Sequence, residues 1–131
     1  GSALMRDKYF PDKSTVPRLH LAIVRDGAIA ERHVLMPRSE TEHAGHARFH
    51  VMPNGDVYAL LYVAGPTPRN ELLPIYPKVD PANHVPVPFK TPFGGFLLAN
   101  TRSGNAPSKT IDLIGPNGKP NAMGYGQIVI E

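Results

Sequence analysis

The stretch Ala47-Arg48-Phe49-His50-Val51-Met52-Pro53-Asn54-Gly55-Asp56-Val57-Tyr58-Ala59-Leu60-Leu61-Tyr62-Val63-Ala64 decides the fold. Its first six residues alternate: Ala47, Phe49 and Val51 fall on one side, Arg48, His50 and Met52 on the other, which is the period of a strand. Pro53-Asn54-Gly55-Asp56 turns the chain, because Asn-Gly tolerates left-handed backbone at both centres. Val57 to Ala64 returns apolar on both faces, the pattern of a strand held between two layers. The passage therefore predicts a hairpin whose second strand is interior.

Working outward, the same punctuation recurs. Upstream, Leu19 to Val24 and Ala28 to Met36 read as strands joined at Arg25-Asp26-Gly27, and Arg38 to Gly45 reads as a polar loop. Glu31, beside Arg32, reads as half of a solvated pair. Residues 1–17 read as a tag scar, Gly1-Ser2, followed by an arm, leaving 18–131 as a single all-β domain. Downstream, Gly65-Pro66-Thr67-Pro68 stops the buried strand. Glu71 to Tyr76 follows, interrupted by Pro74. Val85 to Phe89 carries Pro86 and Pro88 and belongs at a sheet edge, where missing N–H donors break no ladder. Phe93 to Arg102, Thr110 to Ile114 and Tyr125 to Ile130 complete the set.

Composition agrees. Fifteen prolines and 12 glycines stand among 131 residues, and the longest proline-free run, Arg18 to Met36, is 19 residues with Gly27 inside it. That excludes a helix bundle. Hydrophobic residues at 41% and charged residues at 19% mark a globular chain. No apolar run approaches the roughly 18 residues of a membrane helix. The absence of cysteine excludes disulfide scaffolds, cysteine zinc sites and thiol catalysis. The net charge of +3 is scattered along the chain, which argues against nucleic acid as a partner.

Four strands, 47–52, 57–64, 71–76 and 85–89, form one group, and 95–102, 110–114 and 125–130 begin a second after roughly 45 residues, the repeat length of a propeller blade. The reading is all-β, with antiparallel four-stranded blades in a partial β-propeller. A β-sandwich or jelly roll has the same strand count and is the alternative.

Ala47-Arg48-Phe49-His50 with Pro53-Asn54-Gly55-Asp56-Val57-Tyr58, and Ala106-Pro107-Ser108-Lys109-Thr110-Ile111-Asp112-Leu113-Ile114-Gly115, resemble the C-terminal part of bacterial BNR-repeat, sialidase-like β-propeller proteins, over roughly residues 19–131. The resemblance implies a propeller piece of about two blades and a partial one, extracellular or periplasmic, acting on glycans as glycosidase or polysaccharide lyase. The full Asp-box motif is missing: there is no tryptophan, and only Arg25-Asp26-Gly27-Ala28 echoes its turn.

The densest chemistry is His43-x-x-His46-x-Arg48-x-His50. His46, Arg48 and His50 share a strand face, about 7 Å apart at each step of two. Such a face binds a carboxylate, supplies a general base, or stays solvated. No carboxylate shares it, so no metal site is assigned. Tyr62 lies on one face with Tyr58 and Leu60. Arg69-Asn70-Glu71 sits at a loop-to-strand junction, where binding groups concentrate. Arg102 ends a strand in the inner position of a blade, so Arg48 and Arg102 together suit a carboxylate, the planar bidentate task of guanidinium groups. Asp112 reads as capping neighbouring backbone.

The functional expectation is glycan recognition or processing, with an acidic polysaccharide as substrate. For lyase chemistry, His46 or His50 would be the base, Arg48 or Arg102 the cation that stabilises the enolate, and Tyr62 the acid. Arg48, Arg69, Asn70 and Arg102 would bind substrate. No cofactor is implied, and no membrane partner. A non-catalytic carbohydrate-binding or self-associating β module, or an inactive fragment, is the alternative, so the sequence leaves open whether the chain is an enzyme. Unpartnered sheet faces imply a homo-oligomer or N-terminal blades supplied elsewhere.

Overall fold

A computed structural model describes residues 8–11, 18–37, 39–98, 105–116, 118 and 122–131. Among them run nine strands: β1 (Leu19–Arg25), β2 (Ala28–Met36), β3 (His43–Val51), β4 (Val57–Ala64), β5 (Arg69–Tyr76), β6 (Val85–Val87), β7 (Leu97–Leu98), β8 (Thr110–Pro116) and β9 (Met123–Val129). They form three antiparallel sheets, each a meander in chain order: β1-β2, then β3-β4-β5-β6, then β7-β8-β9. We call these the first, central and third sheets. None closes on itself or forms a propeller among the described residues.

Both expected hairpins form, by different means. Asp26 and Gly27 take φ of +51° and +76°, the two left-handed residues of a two-residue turn whose twist matches that of its strands. In the β3–β4 turn Gly55 alone is left-handed, at +89°. There the Gly55 N–H donates to Met52 O at 2.9 Å and the Met52 N–H to Asp56 O at 2.8 Å, a three-residue loop with Pro53 at its first position.

β4 is interior, as its sequence requires. Leu60 faces the third sheet and packs with Leu72, Phe93, Phe96, Leu98, Ile111 and Leu113. Ala59 and Leu61 face the first sheet and pack with Leu21, Leu35, Leu73 and Ile75. Leu60, Leu61 and Val63 have no exposed surface. A fully buried leucine or valine contributes roughly 1.5–3 kcal/mol over an exposed one. The central sheet is thus the middle of three layers. A two-sheet sandwich would leave it one wet face.

The proline positions follow from the ladder. β6, with Pro86, is the outer edge of the central sheet. Its pairing with β5 stops at Leu72↔Val85, so β5 runs through Pro74 with a strand on one side only. β3 starts earlier than expected, at His43, inside the stretch read as loop. β7 spans two residues where Phe93 to Arg102 was expected, and residues 99–104, including Arg102, lie outside the described residues. Glu31 does not pair with Arg32, because adjacent strand residues face opposite ways. Arg25 and His33 bind Glu31 instead, at 2.9 and 3.0 Å.

Gly115 of β8 is buried, and a methyl built on it would sit 2.0 Å from the Gly95 carbonyl oxygen, a backbone atom that cannot rotate away. Gly115→Ala is therefore expected to lose at least ~3 kcal/mol, the upper end of overpacking costs. Gly27→Ala, in open space at positive φ, should lose only ~1–2 kcal/mol. Urea unfolding compares the two; equal losses would contradict the close approach of β8 to Gly95.

Candidate functional site

Register places most of the expected site residues on one face. His46 pairs with Tyr62, Arg48 with Leu60, His50 with Tyr58, and Tyr62 in turn with Asn70. His46, Arg48, His50, Tyr62 and Asn70 therefore share the face that meets the third sheet. A bulge at Gly45 seats Tyr62, whose ring would lie 2.9 Å from a Gly45 methyl. Arg69, one residue from Asn70, points to the opposite face. Arg102 lies outside the described residues.

Most of this face is occupied by backbone. His46 Nε2 lies 2.7 Å from Phe96 O, with the two rings edge to face at 4.7 Å. His50 Nε2 lies 2.7 Å from Ser108 O. A carbonyl only accepts, so both Nε2 atoms carry the proton and donate. His50 is 2% exposed, and its Nδ1 is buried without a partner. Asn70, 1% exposed, is more completely used: its Oδ1 accepts the Phe93 N–H at 2.8 Å, and its Nδ2 donates to Phe93 O at 3.1 Å and Leu61 O at 3.2 Å. Tyr62 is half-buried beside the core. Arg48 alone of the five is exposed; its Nη1 donates to the carbonyl of Ala47 at 2.9 Å. The two histidines, read as either solvated or chemically active, are thus directed inward and join two sheets.

The opposite face carries a second polar group of residues. Arg69 Nε donates to Glu71 Oε1 at 2.6 Å, while Nη1 and Nη2 reach Glu42 Oε1 and Oε2 at 2.6 and 3.2 Å. His84 Nδ1 meets Glu71 Oε2 at 2.5 Å, and its Nε2 donates to Leu35 O at 3.1 Å. Glu71 is 5% exposed and needs both partners, since a lone buried carboxylate is costly. The Glu42 hydrogen bond, then that of Glu71, holds the Arg69 guanidinium far above its ordinary range. The same bond holds the Glu42 carboxyl below its ordinary value. With Met36, Pro37, Ser39 and Pro81 these groups line an open cleft of about 280 Å³. Sequence reading singled out Arg69, Asn70 and Glu71. The same-face spacing of 69 and 71 is a signal for their pairing. Glu42 and His84 were missed: they reach Arg69 and Glu71 from connecting segments that carry no periodicity.

On the outward face of the third sheet, Tyr125 Oη and Gln127 Nε2 both donate to Asp112 Oδ1, at 2.5 and 2.9 Å. Asp112, expected to cap backbone, binds side chains instead, because pairing of β8 with β9 sets it opposite Gln127. These donors, Tyr125 first, hold its carboxyl below the ordinary value, and the carboxylate holds the Tyr125 hydroxyl above its own. Among the described residues no cluster of histidine and carboxylate groups has a geometry suited to a metal ion. No protein-family model, curated protein or solved structure matches the chain.

Two outcomes follow. Asn70→Ala strips the partners from Phe93 N–H, Phe93 O and Leu61 O, and should cost at least ~2 kcal/mol in urea unfolding, given ~1–3 kcal/mol per orphaned buried group. A loss within experimental error would contradict the clamp. Glu42 titrates at 4.5 when unfolded and lower when folded, so its contribution is present above pH 4.5 and lost as pH falls through the lower folded value. Glu42→Gln should therefore lower stability at neutral pH and flatten the acid decline. An unchanged acid limb would contradict the Glu42–Arg69 pair.

Proposed function

We propose that the chain supplies consecutive blades of a sialidase-like β-propeller and recognises an acidic glycan without cleaving it. The blade reading is supported by the order of stacking. Each sheet is a meander in chain order, and each packs on the next. β3, the first strand of the central sheet, reaches through His46 to Phe96, immediately before β7, the first strand of the third. First strands set side by side are what blades around a common axis present.

The observation that carries the recognition half is Arg48. It is an exposed guanidinium on an edge strand, and the residues two on either side, His46 and His50, are anchored to the third sheet. Its backbone is therefore held while its guanidinium, with one Nη1 bond to the Ala47 carbonyl, presents its remaining N–H groups to solvent, a preorganised partner for a uronate carboxylate. Binding is favoured over lyase chemistry because a base needs an accessible lone pair within reach of the substrate proton. His50 offers none, its Nε2 being engaged and its Nδ1 enclosed, and His46 keeps only its Nδ1, its Nε2 being bound to Phe96 O. Asn70 is enclosed as well, and Arg69 is engaged by two carboxylates.

Isothermal titration with polygalacturonate tests this, with uncharged dextran as control. Saturable binding to the acidic polymer alone is expected, weakening with salt. Arg48→Ala should weaken it at least ~tenfold, from the ~1.5–3 kcal/mol of a charged hydrogen bond. No saturable binding, or binding indifferent to Arg48→Ala, overturns recognition. An ultraviolet signal from an unsaturated uronate product overturns the non-cleaving half.

A further inference from the structure

The stack of three sheets has two ends, and both are apolar where an outer face should be wet. On the third sheet, Ile111, Leu113 and Leu98 turn inward and are buried. The alternate residues turn outward: Leu97, Met123, Tyr125 and Val129 are 62%, 66%, 65% and 62% exposed, and Ile114 is 41%. Register makes Leu97, Ile114, Tyr125 and Met123 contiguous, with Leu97 opposite Ile114, Ile114 opposite Tyr125, and Met123 at the end of the same ladder, while Val129 lies beyond the Asp112–Gln127 pair. On the first sheet, Leu21 and Leu35 turn inward, while Val24, Ile29 and Val34 face out at 60%, 48% and 42% exposure. A solvated face of an antiparallel sheet ordinarily alternates to polar residues. Contiguous exposed apolar surface of this kind marks an interaction site.

Charge identifies what covers each end. The outward face of β8 and β9 carries one charged group, Asp112. Its two side-chain hydrogen bonds both go to Oδ1, which leaves Oδ2 open. The outward face of β1 and β2 carries Arg32, opposite Ala22 in the ladder and without an ion pair among the described residues, and also His20. Two third-sheet faces meeting would set Asp112 against Asp112, and two first-sheet faces Arg32 against Arg32. A third-sheet face meeting a first-sheet face sets a guanidinium against a carboxylate, with apolar residues on both sides.

We infer that the outer face of the third sheet binds the outer face of the first sheet of a second copy, head to tail. This rests on the blade-stack half of the reading above and not on glycan recognition. A head-to-tail contact closes into a ring where its rotation allows and otherwise runs on as a filament; the form inferred is the closed one, and two copies form the smallest ring in which every outer face is covered. The contact repeats between molecules what the central sheet already makes with its neighbours within one.

Light scattering on the purified chain, at micromolar concentration and without glycan, reads the outcome. The wild type should be a discrete oligomer. Arg32→Asp sets like charges across the contact and should raise the apparent dissociation constant at least ~tenfold, as should Asp112→Arg. The double variant, with both charges exchanged, should associate again. Circular dichroism confirms that each variant keeps its strands. A monomeric wild type, an oligomer that Arg32→Asp leaves intact, or a double variant no better than the singles overturns the proposal. Monomer formation with intact polygalacturonate binding would remove this inference and leave glycan recognition standing.

Discussion

Asn70 is the residue on which the layering depends. It stands on β5, inside the central sheet, and its amide takes both the N–H and the carbonyl of Phe93, besides bonding Leu61 O of its own sheet. The segment before β7 can enter the interior only if its backbone groups find partners there, because buried peptide groups are almost always paired. With Phe93 fixed, its ring packs edge to face on Phe89 at 5.1 Å and joins Phe96, Leu98, Ile111 and Leu113 over Leu60 and Leu72. His46 and His50 repeat the arrangement along β3, each donating to a carbonyl of the third-sheet segment. The apolar core supplies most of the driving force, and these three side chains set where the third sheet comes to rest.

The same bonds fix the side chains of the face. A histidine that donates to a carbonyl of the next layer has its ring held in one orientation, and here both rings are held this way. Arg48 stands between two such residues and keeps its guanidinium in solvent. On the other face of the sheet, Glu42, Arg69, Glu71 and His84 satisfy one another and tie the β2–β3 and β5–β6 connections to β5. Both faces of the central sheet thus spend polar side chains on holding layers together. The outer faces of the first and third sheets keep the surface not yet covered.

Much of the fold was legible because it is written in local signals. Asp26-Gly27 forms its turn whatever lies around it. The apolar run of β4 has no solution except burial on both faces, and Pro86 confines β6 to an edge. The grouping of four strands and then three followed from the spacing of turns. What stayed hidden depends on contacts distant along the chain. His46 and His50 meet carbonyls 50 and 58 residues away, and nothing near them distinguishes an inward histidine from a solvated one. His84 lies in a segment without periodicity and acquires its role only because β5 places Glu71 beside it. Asp112 sits in an apolar strand whose partner, β9, determines that Tyr125 and Gln127 and not backbone will bind it.

The central claim is that the central and third sheets are one cooperative unit, joined by a shared core and by Asn70, His46 and His50. Native-state hydrogen exchange tests it most directly. The account predicts that amides of Leu60 and Leu61 in β4 and of Ile111 and Leu113 in β8 open with the same free energy, the global one, since units that share a core unfold together. Amides of β8 opening at a far smaller free energy than those of β4 would mean that the third sheet is an independent layer, and would contradict it.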